Sequence, residues 1–322
     1  MSKVVFNDSV KILHKNRSAQ HFLKDPSSPQ FEYLRDLAAD NIVDRVLDIA
    51  KDFPTVLDLG CNTGNVLGKL VENGSSDNNE YPGGITRLIQ IDSSCEMIRA
   101  ATERSSSLKH HLTVEAHTSP LQSVHCKNNS IDMVLSNLSL HWSNDLKGTI
   151  REATRCLKPD GVFLGAMFGG ESLFELRSAL AIAEQEREGG ISSHVSPMLP
   201  VADACGLLTD AGLTLTTVDT ATIEVDFENA FSCMEHLNGM GESNGLIQRR
   251  PIVSRETLLA AASIYSSMFG TADGRVPLSF QIVYMIGWKP HSTQPLPMKR
   301  GSHQASFGSL SQHIQPTKSK GV

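Results

Sequence analysis

Apolar residues recur at near-helical spacing in the run FEYLRDLAADNIVDRVLDIA. Phe31, Leu34, Leu37, Ile42, Val46 and Ile49 predict a helical segment over residues 31–50 that stops near Pro54. The pattern then changes to short apolar runs separated by turn residues. Thr55 to Leu59 reads as a strand, and the next helix starts at Asn65 with Val66, Leu67, Leu70 and Val71 on one face. NGSSDNNEYPGG, residues 73–84, is a polar, glycine-rich loop before a second strand, Arg87 to Asp92. SSCEMIRAATERS opens with serines able to cap a helix. Strands at Leu112 to Ala116, Ile131 to Leu138 and Gly161 to Phe168 follow, with the helix DLKGTIREATRCLKPDG between the last two. Strand and helix in strict alternation predict parallel βαβ units: an α/β fold with a doubly wound, mostly parallel sheet and helices on both faces.

The second half keeps this order with interruptions. Residues 171–187 and 201–211 read as helices, Leu213 to Phe227 as a long strand or hairpin, 228–240 and 254–269 as helices, and Leu278 to Trp288 as the last strand. The predicted organisation is an N-terminal helical or lid segment over 1–53, a ligand-binding domain over 54–290 with a helical insertion at about 228–270, and a tail over 291–322. The Ser, Gln, His, Pro and Lys content of the tail predicts flexibility.

Composition narrows the partners. With 322 residues, 40% of them hydrophobic, the chain suits one decorated α/β domain. A net charge of -6 and no basic stripe before the tail argue against nucleic acid as the main partner. No apolar run is long enough to span a bilayer, which leaves peripheral membrane association. Six dispersed cysteines without a CxxC pair point to a reducing compartment rather than a disulfide framework or zinc site. The first residues carry neither a secretory apolar core nor a long Arg-rich presequence, so the chain alone reads as soluble and intracellular.

The chemistry starts at Val56 to Gly64, VLDLGCNTG. A strand running into a glycine turn and a helix is where a parallel sheet admits a nucleotide, but the spacing after Gly60 is not the G-x-G-x-x-G of a dinucleotide site. Asp58 before the turn suits a ligand carrying a cationic amine, and Asp92 stands where an acid takes both hydroxyls of a ribose. The competing reading is that Asp58 only satisfies backbone donors of a tight turn.

This run resembles the first motif of the class I S-adenosyl-L-methionine (AdoMet)-dependent methyltransferases, a Rossmann-like fold, and the resemblance extends over roughly residues 54–170. It implies AdoMet as cofactor, with contacts from Asp58, Gly60, Cys61, Asn62 and Gly64, from Asp92 and Ser93, from Ser119, and from Asn137 and Leu138. Asn62 replaces the central glycine of the family loop, and EAHTSPLQS lacks the acid-Leu-Pro common after the third strand. SNLSLHWSNDL followed by CLKPDGVF resembles two AdoMet-fold families, the malonyl-carrier-protein O-methyltransferases and the mitochondrial complex I assembly factors with arginine hydroxylase activity. GAMFGGESLFELR, AEQEREGG, SSHVSPM, MEHLNGMGESN, YMIGWK and RGSHQASFGSL resemble the latter, the assembly factor 5 family. That resemblance implies a matrix protein at the inner membrane that hydroxylates one arginine in the PSST-type iron–sulfur subunit, alongside other assembly factors. Methyl transfer and a non-catalytic chaperone role are the alternatives.

Catalytic candidates are His141, Asp145, Glu171 and Glu242. If HWSNDL begins a helix, His141 and Asp145 share a face; otherwise His141 and Trp142 wall the cofactor pocket. Glu171 and Glu242 offer carboxylates to a guanidinium, against the alternative of helix caps at Ser172 and Ser243. GESNG matches the letters of a hydrolase elbow but follows a helix, so it reads as chance. Tyr33 is a lid candidate and His194 a substrate-side candidate, each against a structural role. No His-x-Asp/Glu pair is present, and no metal site is predicted.

Overall fold

The computed structural model describes residues 4–26, 30–74, 80–250 and 252–295. Seven strands form one sheet in the order β3-β2-β1-β4-β5-β7-β6. They are β1 (Thr55–Leu59), β2 (Arg87–Asp92), β3 (Thr113–Thr118), β4 (Ile131–Asn137), β5 (Leu157–Phe168), β6 (Thr214–Phe227) and β7 (Val276–Trp288). Strands β1 to β5 pair in parallel, while β7 runs antiparallel to both β5 and β6. The order reverses between β1 and β4, so the loops after these two strands flank the crevice where an open α/β sheet binds ligands.

Nine helices accompany the sheet among the described residues: α1 (Asp8–Lys24), α2 (Tyr33–Leu47), α3 (Asn65–Glu72), α4 (Cys95–Ser107), α5 (Leu146–Cys156), α6 (Phe174–Glu188), α7 (Val201–Asp210), α8 (Ala230–Gly239) and α9 (Arg255–Phe269). In α2, Leu34, Ala38, Ile42 and Val46 are buried at every fourth position. They join Val56, Val66, Leu88, Met133 and Leu164 in the cluster on one sheet face. Leu57, Leu59, Ile89, Ile91, Val134 and Phe163 point to the other face and pack with Ile150, Ala204 and Leu208. The strands alternate between two apolar layers, as a sheet covered on both faces requires. Ser94 caps α4 by accepting from the Met97 amide at 3.1 Å, as its serine signature predicts.

Strict alternation fails in one place: residues 119–130 join β3 to β4 without a helix. Pro120 and the polar run Lys127–Asn128–Asn129–Ser130 offer no apolar stripe to bury. The uncovered sheet face there forms a groove of about 550 Å³ lined by Ile89, Ile91, His117, Ser119 and His125. The predicted tail falls, from residue 296 onward, outside the described residues. Among the described residues no helix is long and apolar enough to cross a membrane.

The first helix inverts the usual polarity. Lys11, Lys15 and Ser18 of α1 are buried, whereas Leu13 is 52% and Ile12 36% exposed. Its apolar anchorage is Ala19 and Phe22, which pack on Met97 and Ala100 of α4 with the partly buried Leu23 beside them. Burying an ammonium group is costly unless it is paired, so what the lysines meet decides what α1 is for.

Candidate functional site

The site is built at the C-terminal ends of β1, β2 and β4. After β1 the chain turns through Gly60 (φ 79°), Asn62 (φ 51°) and Gly64 (φ 82°) before entering α3. Asn tolerates the left-handed region better than other side-chain-bearing residues, which is how it occupies the loop's middle position. Its side chain adds a tie that glycine lacks, because Asn62 Nδ2 donates to the Asn137 carbonyl at the end of β4 at 2.8 Å. The Gly60 and Cys61 amides donate to the Ile91 carbonyl at 2.7 and 3.0 Å, pinning the loop to β2. A Cβ on Gly60 would lie 2.3 Å from Ser139 Oγ. With positive φ as well, Gly60→Ala is expected to cost about 1–3 kcal/mol, read as a lower denaturation midpoint at unchanged slope in urea.

Asp58 is wholly buried beside Gln90 in the β1–β2 register, and neither carboxylate oxygen has a hydrogen-bond partner among the described residues. Burial pushes its pKa up to about 7; the Gln90 amide, close by but outside hydrogen-bond geometry, opposes the shift and the Asp92 charge reinforces it. Asn137 Oδ1 is likewise buried and unpartnered, while its Nδ2 donates to the Arg35 carbonyl at 2.8 Å. Asp92 is fully engaged. Its Oδ1 accepts from the Ser94 amide at 2.9 Å, and its Oδ2 accepts from the Asn62 amide at 3.2 Å and the Lys15 ammonium at 2.7 Å. Lys15 also donates to Ser139 Oγ at 3.1 Å, and Ser94 Oγ donates to Asn16 Oδ1 at 2.7 Å. The α1 helix therefore closes over the acid predicted to hold a ribose.

The second half of the site follows β4. Leu138 (φ 43°) and Ser139 lead into a 3-10 turn, Leu140–Trp142, so HWSNDL does not begin an α-helix. Asp145 instead caps α5, accepting from the Gly148 amide at 2.9 Å, so it shares no helical face with His141. His141 Nε2 and Trp142 Nε1 both meet Glu242 Oε2, at 3.1 and 2.8 Å. Glu242 Oε1 lies 3.7 Å from Arg35 Nη2, and the Lys11 ammonium sits 3.2 Å from the Trp142 ring centroid. Burial holds the His141 pKa below its ordinary value, which favours the neutral ring. With Nε2–H turned to the carboxylate, Nδ1 is a buried acceptor without a partner among the described residues.

The other candidates are elsewhere. Glu171 is exposed. Neither serine is a helix cap: Ser172 Oγ donates to the Gln281 carbonyl and accepts the Gln281 amide, stitching the chain to β7, and no helix starts at Ser243. His194 joins Glu184, Ser192 and Arg250 in a clasp at the end of α6. Ser119 Oγ is spent on the Ser123 carbonyl and His125. Cys61 is buried in the loop, and Tyr33 packs against the core near His236 rather than over the site. Ser93 is half-buried beside Asp92. Lys11, Lys15, Glu32 and Arg35 join the same cluster of side chains, and the sequence pattern gave no sign of them. Glu32 accepts from Thr63 Oγ1 at 2.7 Å and Asn65 Nδ2 at 2.9 Å, tying α2 to the loop.

A sequence profile described as a methyltransferase domain matches residues 57–165. The fold is shared with a candidate methyltransferase of Bacillus halodurans, at TM-score 0.53 and 15% identity over 78% of this chain and 99% of that one. The malonyl-[acyl-carrier protein] O-methyltransferase of Methylovorus sp. is 26% identical, over 78% of this chain and 81% of that protein. The mitochondrial arginine-hydroxylase NDUFAF5 of Danio rerio is 42% identical, over 95% of this chain and 89% of that protein. With 42% identity held over nearly the whole length of both chains, the chain belongs to the mitochondrial arginine-hydroxylase NDUFAF5 family.

Proposed function

We propose that the chain binds AdoMet in the cradle between β1, β2 and β4 and hydroxylates an arginine of the PSST-type iron–sulfur subunit of respiratory complex I. The reaction would take place early in peripheral-arm assembly, beside other assembly factors, in the mitochondrial matrix and peripheral to the inner membrane. The observation that carries this reading is 42% identity along nearly the whole chain to a named arginine hydroxylase, against 26% to the O-methyltransferase.

The residues fit AdoMet. A buried, unpartnered Asp58 carboxylate and Asn137 Oδ1 are polar atoms in want of a ligand, and Asp92 already holds a cation where the ribose acid belongs. Asp58, Asp92, Asn62 and Asn137 would hold the cofactor, which supplies a sulfonium methyl group when bound. Oxygen insertion needs an oxidant and a reductant; this chain's residues bind the substrate, orient it and exclude water. Mass spectrometry of the iron–sulfur subunit with and without the protein tests the reading. A gain of one oxygen is expected. A gain of one methyl supports the O-methyltransferase reading instead, and no change supports a chaperone.

Asp58 gives a pH dependence. Its folded pKa of about 7 stands above the ordinary 3.8. Its contribution to stability is thus full below about pH 4 and lost as pH rises through 7. A cationic ligand favours the ionised form, so AdoMet should release a proton on binding below about pH 7, with affinity rising by up to about tenfold per pH unit there. Calorimetry in buffers of different ionisation enthalpy reads the proton. Asp58→Asn should abolish its release.

A further inference from the structure

Lys11 and Lys15 stand one helical turn apart on α1, and each ammonium lies where a ligand group is expected. Lys15 is on Asp92 at 2.7 Å. Lys11 lies on the Trp142 ring at 3.2 Å and donates to the Gly241 carbonyl at 2.7 Å. An aromatic face and a carbonyl in contact with one cation, and a buried carboxylate whose charge supports it from beyond contact distance, make a recognition box for a cationic side chain. We propose that Glu242, Trp142 and the Gly241 carbonyl receive the substrate's arginine guanidinium, and that Lys11 occupies this box as an internal stand-in which leaves when substrate binds.

The box suits a guanidinium better than its present occupant. An ammonium uses the ring and one carbonyl, and no contact of 4 Å or less between Lys11 Nζ and a Glu242 oxygen occurs among the described residues. Glu242 Oε2 is taken by His141 and Trp142, whereas among the described residues Oε1 has only the 3.7 Å approach of Arg35. A planar guanidinium stacks on the indole while its N–H fork reaches both a carbonyl and Oε1. The occupant is also poorly held. Burial pulls the Lys11 pKa down to about 7 against the Glu242 charge that supports it, and α1 has few apolar contacts elsewhere. A helix with two buried ammonium groups and exposed Leu13 belongs to the low-stability end of the fold, where lids are found. Since Lys11 and Lys15 share the helix, its departure would free the guanidinium box and the ribose acid together.

The proposal rests on the arginine-substrate reading, and its test is independent of turnover. The probes are N-acetyl-arginine amide and its neutral isostere N-acetyl-citrulline amide, with binding followed by Trp142 fluorescence in a Trp288→Phe background. Lys11→Met, which keeps the side chain's bulk, should bind the arginine probe about tenfold more tightly than the parent, because the competing occupant is gone. Citrulline should not bind, and adding Glu242→Gln to Lys11→Met should remove arginine binding. Lys11→Ala serves as a second opening variant if Lys11→Met packs too firmly. Equal affinity in the parent and both Lys11 variants, comparable binding of citrulline, or arginine binding that survives Glu242→Gln would overturn the proposal. Probe binding without oxygen gain in the iron–sulfur subunit keeps the box and removes the hydroxylase reading; oxygen gain without probe binding does the reverse.

Discussion

Asp92→Asn should both destabilise the folded chain and weaken AdoMet binding by about 100-fold or more. The first effect follows from Lys15. In the native fold the two side chains are 8% and 0% exposed and 2.7 Å apart. Asparagine can keep the Ser94 amide bond but leaves Lys15 a buried cation with Ser139 Oγ as its remaining partner. Breaking a buried pair from one side costs about 3–5 kcal/mol. The cost is lower if α1 lets go and Lys15 reaches water, and hydrogen exchange across residues 8–24 would then rise. The second effect follows from losing a charged acceptor for ribose hydroxyls, at about 1.5–3 kcal/mol for each hydrogen bond.

A double-mutant cycle separates the two. Replacing both members of a buried pair by neutral groups is often close to neutral, so Lys15→Met with Asp92→Asn should return to within about 1 kcal/mol of the wild type while AdoMet binding stays lost. Lys15→Met alone leaves Asp92 buried without its cation, so the apo protein should melt early, and AdoMet should raise its Tm by more than it raises the wild type's. Thermal melts with and without AdoMet across the four proteins give the result. A double mutant as unstable as Asp92→Asn would mean that Lys15 and Asp92 do not act as a pair.

This coupling marks the limit of what a single sequence reveals. The β1 loop, Asp58 and Asp92 were legible because their signal is local: an apolar strand, glycines at turn spacing and an acid at a strand end each read out over fewer than ten residues. The helices α2, α4, α8 and α9 were legible for the same reason, through apolar periodicity and serine or asparagine caps. The α1 helix was not resolved within its segment, because the stripe it buries is Lys11, Lys15, Ser18, Ala19 and Phe22. A reading that puts apolar residues inside turns that helix the wrong way round. The one available cue was the i, i+4 spacing of two lysines flanked by exposed leucine and isoleucine, which becomes informative only once a buried acid is known to face it. The Glu242 cluster was opaque for a different reason. Its members come from α1, α2, the turn after β4 and the end of α8, and no local pattern links Glu242 to a histidine 101 positions away. The sequence nominates both residues as candidates but does not show that they face each other. The missing helix between β3 and β4 shows the converse, since a rule of alternation overrode a stretch whose own composition had no apolar stripe.

Glu242→Ala is expected to destabilise the fold by about 3–5 kcal/mol, a large share of the 5–15 kcal/mol typical of a folded domain. Burial alone would raise this carboxyl's pKa, but the Lys11 ammonium, the His141 hydrogen bond and the Arg35 guanidinium outweigh it and hold the group well below the usual carboxylate range. Alanine removes the acceptor from Trp142 Nε1 and His141 Nε2 and leaves Lys11 buried without its countercharge. Arg35 is less exposed to the loss, because Glu32 still pairs with it at 2.9 Å. Glu242→Gln keeps an acceptor for the indole and should cost less, about 1–3 kcal/mol, with Lys11→Met in that background recovering part of the loss. The pH dependence carries the sign. A depressed folded pKa contributes stability that is present above the unfolded value near 4.5 and lost as pH falls below it. Acid melts of the wild type should therefore steepen below about pH 4.5, while Glu242→Gln flattens there. If Glu242→Ala costs less than about 1 kcal/mol and leaves the acid limb unchanged, Lys11 is satisfied by the Gly241 carbonyl and the Trp142 ring alone. In that case the carboxylate cannot be the charge that selects a cation.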